Sequence, residues 1–170
     1  MKKLPMQVVD KNDNIIGIKD RSEIDFNKDI YRVSALWLTN SKGEVLIAQR
    51  KLTKDRDPGL WGPAVAGTIE KGETYESNIY KEAEEEIGLT GVKFKTGPKL
   101  FVSPKDAPTP RSFFGQWFFG ECDLAADKFI LQEEEVEAVK WIKPKDLKQD
   151  IQQHPEIYTP TMAIVVEQFS

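Results

Sequence analysis

The chain has 170 residues, with 24 Lys and Arg against 28 Asp and Glu, and a formal net charge of -4. That length suits one domain with a sizeable core, and 39% hydrophobic with 31% charged residues excludes a disordered chain. The acidic balance argues against gripping a nucleic-acid backbone, which takes clustered Lys and Arg, and a single Cys with a single His excludes an internal disulfide and any Cys- or His-rich metal cage.

In chain order, Val8-Val9-Asp10 and Ile15-Ile16-Gly17-Ile18 flank a polar Asn/Asp turn and predict a small hairpin. Ile30 to Thr39 is rich in β-branched and aromatic residues and predicts a strand, with a turn at Asn40 to Gly43 and a partner strand beginning at Val45 to Ala48. Lys51 to Pro58 is a charged loop. Trp61 to Ala66 is a short apolar piece expected to stop at Gly67. Residues 74–87 have helical composition, with Gly88 placed as a C-cap. Strands are expected near 98–103, 112–120 and 136–142. A helix begins at Pro144 and runs through Asp146, Leu147 and Ile151. A last helix opens on Thr159-Pro160 and runs to Phe169. The reading is one α/β domain over residues 1–170: an N-terminal hairpin extension at 1–29, a core at 30–142 and C-terminal helices at 143–170. No run of about 18 apolar residues appears and Met1 to Pro5 lacks the apolar stretch of a signal peptide, so a cytoplasmic chain without a membrane partner is expected.

The chemistry concentrates in residues 67–89, GTIEKGETYESNIYKEAEEEIGL. On a helix, Glu82, Glu85 and Glu86 share an arc of about 100°, while Ile79, Tyr80, Ala83 and Ile87 cluster on another that suits the core. Like charges at i,i+3 and i,i+4 repel, and a hard divalent cation relieves that repulsion through oxygen ligands. The window holds seven acidic and two basic residues, a balance of -5 that leaves the rest of the chain at +1. The bland alternative for such a segment is a solvated acidic helix face.

The spacing resembles the Nudix box, G-x5-E-x7-R-E-U-x-E-E-x-G-U, where U is a bulky aliphatic residue. Gly67, Glu73, Glu82, Glu85, Glu86, Gly88 and Leu89 fall on it; Lys81 stands at the family's Arg and Ala83 at an aliphatic position. The segments Val9 to Arg21, Asn40 to Gly43, Gln49-Arg50-Lys51 and Pro58-Gly59-Leu60-Trp61 look like the isopentenyl-diphosphate-isomerase-like branch of that superfamily. The resemblance implies a Nudix-like α/β/α sandwich with a mixed β-sheet.

The isomerases of that branch use a Cys just before the box Gly and several His ligands. Here Ala66 precedes Gly67, Thr68 follows it, Tyr31 replaces another expected His, and Arg111-Ser112-Phe113 stands where acidic residues are expected. The resemblance therefore implies a hydrolase of the diphosphate linkage in a nucleoside diphosphate derivative or similar small molecule. A non-catalytic nucleotide-sensing domain is the alternative, and an isomerase the less favoured one. By resemblance, Gly67, Glu82, Glu85 and Glu86 hold Mg²⁺ or Mn²⁺, with Glu82 or Glu86 also able to orient water. Glu73 pairs with Lys81. Arg50 and Lys54 hold the diphosphate. Glu135, from the second acidic cluster Glu133-Glu134-Glu135, is a candidate base or further ligand, weighed evenly against a solvated loop. A homodimer is left open.

Overall fold

The computed structural model describes residues 3–104 and 110–170. The N-terminal hairpin pairs β1 (Met6–Val9) with β2 (Ile15–Lys19). Asp10 closes its turn, accepting from the backbone N–H groups of Asn12 and Asn14. The hairpin joins the main sheet through Val8 and Val9, which pair with Tyr31 and Ile30.

The central strand is β3 (Ile30–Thr39). It meets β4 (Val45–Arg50) only at Thr39 and Val45, so the two splay apart after their turn. β4 instead pairs with β5 (Trp61–Pro63) and with β9 (Val136–Ile142). β3 pairs antiparallel with β6 (Val65–Thr68) and, over ten residues, parallel with β8 (Ser112–Glu121). β7 (Lys95–Val102) lies antiparallel to β8. The result is a mixed sheet whose β3–β6–β8 part and β4–β5–β9 part open a space between them.

The alternation of β3 sorts the helices. Leu36 and Leu38 pack with Ile79, Ala83 and Ile87 of α1 (Tyr75–Ile87). Ala35 and Trp37 pack with Leu147 and Ile151 of α2 (Pro144–Gln153) and Met162, Val165 and Val166 of α3 (Pro160–Phe169). Helices therefore cover both faces, as the α/β/α expectation required. The aromatic residues of β8 follow the same rule: Phe118 joins the α1 side, while Trp117 and Phe119 join the other. Among the described residues no helix is long and apolar enough to cross a membrane.

The elements depart from the sequence reading in three places. The apolar piece expected to stop at Gly67 is two strands, the second running through Gly67 to Thr68. β7 begins at Lys95 rather than near 98; its charged start lies on an exposed edge, where apolar alternation is not required. Tyr80, grouped with the core residues of α1, is 36% exposed. Its ring stacks on Phe94 at 4.6 Å and its hydroxyl accepts the Phe94 N–H, so it closes the rim of the core.

Candidate active site

The loop before α1 is fixed by local chemistry. Thr74 caps the helix, accepting the Ser77 N–H at 3.0 Å, and the Ser77 hydroxyl accepts the Thr74 N–H at 2.9 Å. Gly88 ends it in the left-handed region at φ 66, as the C-cap expectation required. Gly67 is set by packing: a Cβ there would lie 2.3 Å from Glu82 Cγ, so only glycine lets the β6 backbone rest against that side chain. Asn78, fully buried, hydrogen-bonds with the Ser34 hydroxyl and donates to Glu73 at 2.8 Å and to the Thr68 carbonyl at 3.2 Å. It ties α1 to β3, β6 and the loop at once.

All seven residues singled out from the sequence, Arg50, Lys54, Gly67, Glu82, Glu85, Glu86 and Glu135, line one open cleft of about 760 Å³. Gly67 comes from β6, the three glutamates from α1, Arg50 from the end of β4, Lys54 from the loop after it, and Glu135 from the residue before β9. Glu133 and Glu134, the rest of that acidic cluster, are exposed.

Lys81 holds the loop carboxylates. Its Nζ lies 2.5 Å from Glu73, 3.3 Å from Glu70 and 3.4 Å from Glu82. The Glu73 pairing expected from the sequence is therefore present. Burial alone would depress the Lys81 pKa, but Glu73, Glu82 and Glu70 together raise it. Glu135 is ion-paired to Lys54 and, at 3.0 Å, to Lys3. Burial opposes its charge, and those two lysines outweigh burial and keep it ionised.

The α1 glutamates lack that compensation. Burial raises the Glu82 pKa, with Glu85 adding repulsion against the pull of Lys81. Glu86 is pushed up to about 8 by burial and by the charges of Glu82 and Glu135, against weaker pulls from Arg50 and the Ala66 N–H. Among the described residues no three acidic side chains converge as a ready metal cage. Glu82 is turned to Lys81 and Glu135 to Lys3 and Lys54. The donor set nevertheless suits a hard divalent cation: carboxylates gathered in one cleft, Glu86 without a cationic partner of its own, and a glycine backbone packed against Glu82.

A second, inner cavity of about 180 Å³ opens from this cleft and shares Arg50, Gly67, Glu86 and Glu135 with it. Strand register orders its walls. Gly67 stands opposite Ser34 in the middle, Tyr31 stands opposite Phe113 at one end, and Ala35 lies between Ala66 and Trp117 at the other. The Tyr31 end carries Arg56 and Arg111; the Ala35 end is walled by Ala48, Pro63 and Trp117, with Thr159 beside Gly62 opposite Ala48. Sequence reasoning missed Asn78, Arg56 and Arg111. Tyr31, noted there only as a missing ligand His, accepts a hydrogen bond from Arg56 at 2.9 Å.

The NUDIX domain profile matches residues 29–162. The chain belongs to the Nudix family. It is a hydrolase of that family, and its relatives extend along nearly its whole length. A prenyl-diphosphate phosphatase of Methanosarcina mazei is 30% identical over 155 residues, covering 91% of this Nudix chain and 88% of the relative. The Nudix hydrolase YfcD of Escherichia coli is 25% identical over 84% of the chain and 75% of its own length. In structure, DR0079 from Deinococcus radiodurans superposes with a TM-score of 0.81 over 96% of this chain and 98% of that one, at 23% identity, which speaks to the fold alone.

Proposed function

We propose that this protein hydrolyses the diphosphate of a small organic diphosphate whose ester group is apolar, with the help of a divalent cation. The observation that carries the reading is the inner cavity: Glu86 and Glu135 line it where it joins the outer cleft, and a small, mostly apolar wall closes one end. The wall of Ala35, Ala48, Pro63 and Trp117 suits a hydrocarbon chain. The similarity to a prenyl-diphosphate phosphatase supports the same substrate class.

In this reading Glu82, Glu85, Glu86 and the Gly67 carbonyl hold Mg²⁺ or Mn²⁺. When bound, the cation neutralises phosphate oxygens and lowers the pKa of water. Arg50 and Lys54 line the same cleft and bind the phosphate oxygens through charge-assisted hydrogen bonds. Glu135, kept ionised by Lys3 and Lys54, accepts the proton of the attacking water. Lys81, Asn78 and Glu73 orient the glutamates and touch no substrate.

A panel of prenyl diphosphates, nucleoside diphosphates and nucleoside diphosphate sugars tests this, with Mg²⁺ or Mn²⁺ and release of phosphate and diphosphate read separately. Metal-dependent turnover fastest on a prenyl diphosphate, lost in Glu85→Gln, is expected. Absence of turnover on every member, or turnover untouched by EDTA, sinks the reading.

A further inference from the structure

The arginine end of the inner cavity is a built site that the hydrolytic residues do not use. Arg111, just before β8, is 8% exposed. Its Nη1 lies 2.8 Å from the Asp57 carboxylate, while its Nε meets no acceptor among the described residues. Asp57 reaches it from a left-handed backbone at φ 46, a conformation that a non-glycine residue adopts at a cost of about 1 kcal/mol or more. Arg56 lines the same end. Its guanidinium lies 3.4 Å over the Phe26 ring and donates to the Tyr31 hydroxyl at 2.9 Å. Burial and the charge of Arg111 both depress the Arg56 pKa. One buried and one half-buried guanidinium therefore stand at this end, where Asp57 pairs with Arg111 alone.

Buried charge of that kind is costly without a partner. Asp57 alone does not balance it, and the other acidic residues lining the cavity are Glu86 and Glu135. The arginine end lies three strand residues from the Gly67 level, about 10 Å at the rise of a β-strand. The apolar end lies in the opposite direction. A bound diphosphate ester would then point its ester group to Ala35 and Trp117 and its free end to Arg56 and Arg111.

We propose that Arg111 and Arg56 form a subsite for the terminal phosphate of the substrate, and so select diphosphates esterified at one end over those esterified at both. The inference rests on the diphosphate-hydrolase reading above. A terminal phosphate carries more charge and more free oxygens than a bridging one. Planar guanidiniums match those oxygens in pairs. A second ester group would meet two cations and leave them unneutralised.

The test compares wild type, Arg111→Gln, Arg111→Lys and Arg56→Gln, each with Mg²⁺. Two readouts are taken: kcat/KM for a prenyl diphosphate against a nucleoside diphosphate sugar, and calorimetric binding of inorganic diphosphate in EDTA. Arg111→Gln is expected to lower the ratio of the two kcat/KM values by about tenfold or more, mostly through KM of the singly esterified substrate. It is also expected to weaken inorganic diphosphate by a similar factor, with partial recovery in Arg111→Lys. A purely structural arginine would lower the melting temperature and leave the ratio alone. If Arg111→Gln does not fold, Arg56→Gln carries the same expectation at a less buried position. An unchanged ratio and unchanged binding in the folded variants overturn the subsite while the hydrolase reading stands. Wild type that binds inorganic diphosphate through Arg111 yet turns over nothing sinks the hydrolase reading instead.

Discussion

Single residues decide how the acidic cluster is held, and Gly67 is the sharpest case. An added Cβ meets Glu82 Cγ at 2.3 Å, Glu82 Cδ at 2.6 Å and Asn78 Oδ1 at 2.9 Å. Neither neighbour gives way freely, because Asn78 is bonded on several sides and Glu82 is pinned by Lys81. Gly67→Ala is expected to cost about 1–3 kcal/mol of stability through overpacking, and to lower kcat by about tenfold or more because Glu82 is displaced. A folded Gly67→Ala protein of undiminished kcat would show that Glu82 need not stand where it does. Lys81 offers a complementary test. It neutralises three carboxylates where the family pattern has an arginine, so Lys81→Arg should keep stability and activity, and Lys81→Met should lose both. Equal unfolding midpoints and rates in the two variants would assign Lys81 to solvent. The glutamates and Gly67 were legible in the sequence because their spacing is local to one helix and the loop before it. Arg111 was not, because its meaning arises only when a parallel β3–β8 pairing carries it beside Asp57.

At the level of elements, one carboxylate ties the turn of the hairpin to three other elements. Asp13, at the turn between β1 and β2, accepts Arg32 Nε of β3 at 2.7 Å, the Tyr75 hydroxyl of α1 at 3.0 Å and Lys99 Nζ of β7 at 2.5 Å. Its side chain is 8% exposed. Burial opposes its charge, but Lys99, Arg32 and Tyr75 outweigh burial and hold its pKa below the ordinary 3.8. A carboxylate whose folded pKa is depressed adds stability above its unfolded value and loses it as pH falls through the folded one. The loss therefore falls below pH 3.8 and is absent at neutrality. Asp13→Asn is expected to cost about 2 kcal/mol at pH 7 through its charged hydrogen bonds, and to flatten the acid limb of the unfolding midpoint against pH. A limb as steep in Asp13→Asn as in wild type would move the acid sensitivity elsewhere. The sequence showed the hairpin by its polar turn, but its anchor joins residues 13, 32, 75 and 99, and no local pattern reports a contact of that range. The strand through Gly67 was hidden for a related reason: a glycine reads as a stop, whereas here it is the residue that permits α1 to approach.

For the molecule as a whole, the net charge of -4 is a local property. The window 67–89 carries a formal -5, and the carboxyls of it that burial makes costly to ionise are Glu82 and Glu86, with Glu135 nearby. Folding without a counter-ion must bring these groups together at a cost, so a cation that binds only the folded chain should stabilise it by mass action. At a Mg²⁺ concentration about 100 times its dissociation constant the gain is about 2.7 kcal/mol, which for a chain of this size raises the melting temperature by about 5–10 °C. Glu86→Gln should act in two opposed ways. It removes a carboxyl that burial, Glu82 and Glu135 push up to about 8 and that folding must therefore protonate at a cost, so the metal-free variant should melt above metal-free wild type. It also removes a ligand, so the rise on adding Mg²⁺ should shrink or vanish. Sodium at matched ionic strength separates screening from binding, since screening would raise both proteins alike. A Mg²⁺ increment equal in wild type and Glu86→Gln would detach the acidic window from metal binding, and the catalytic role built on it would fall as well.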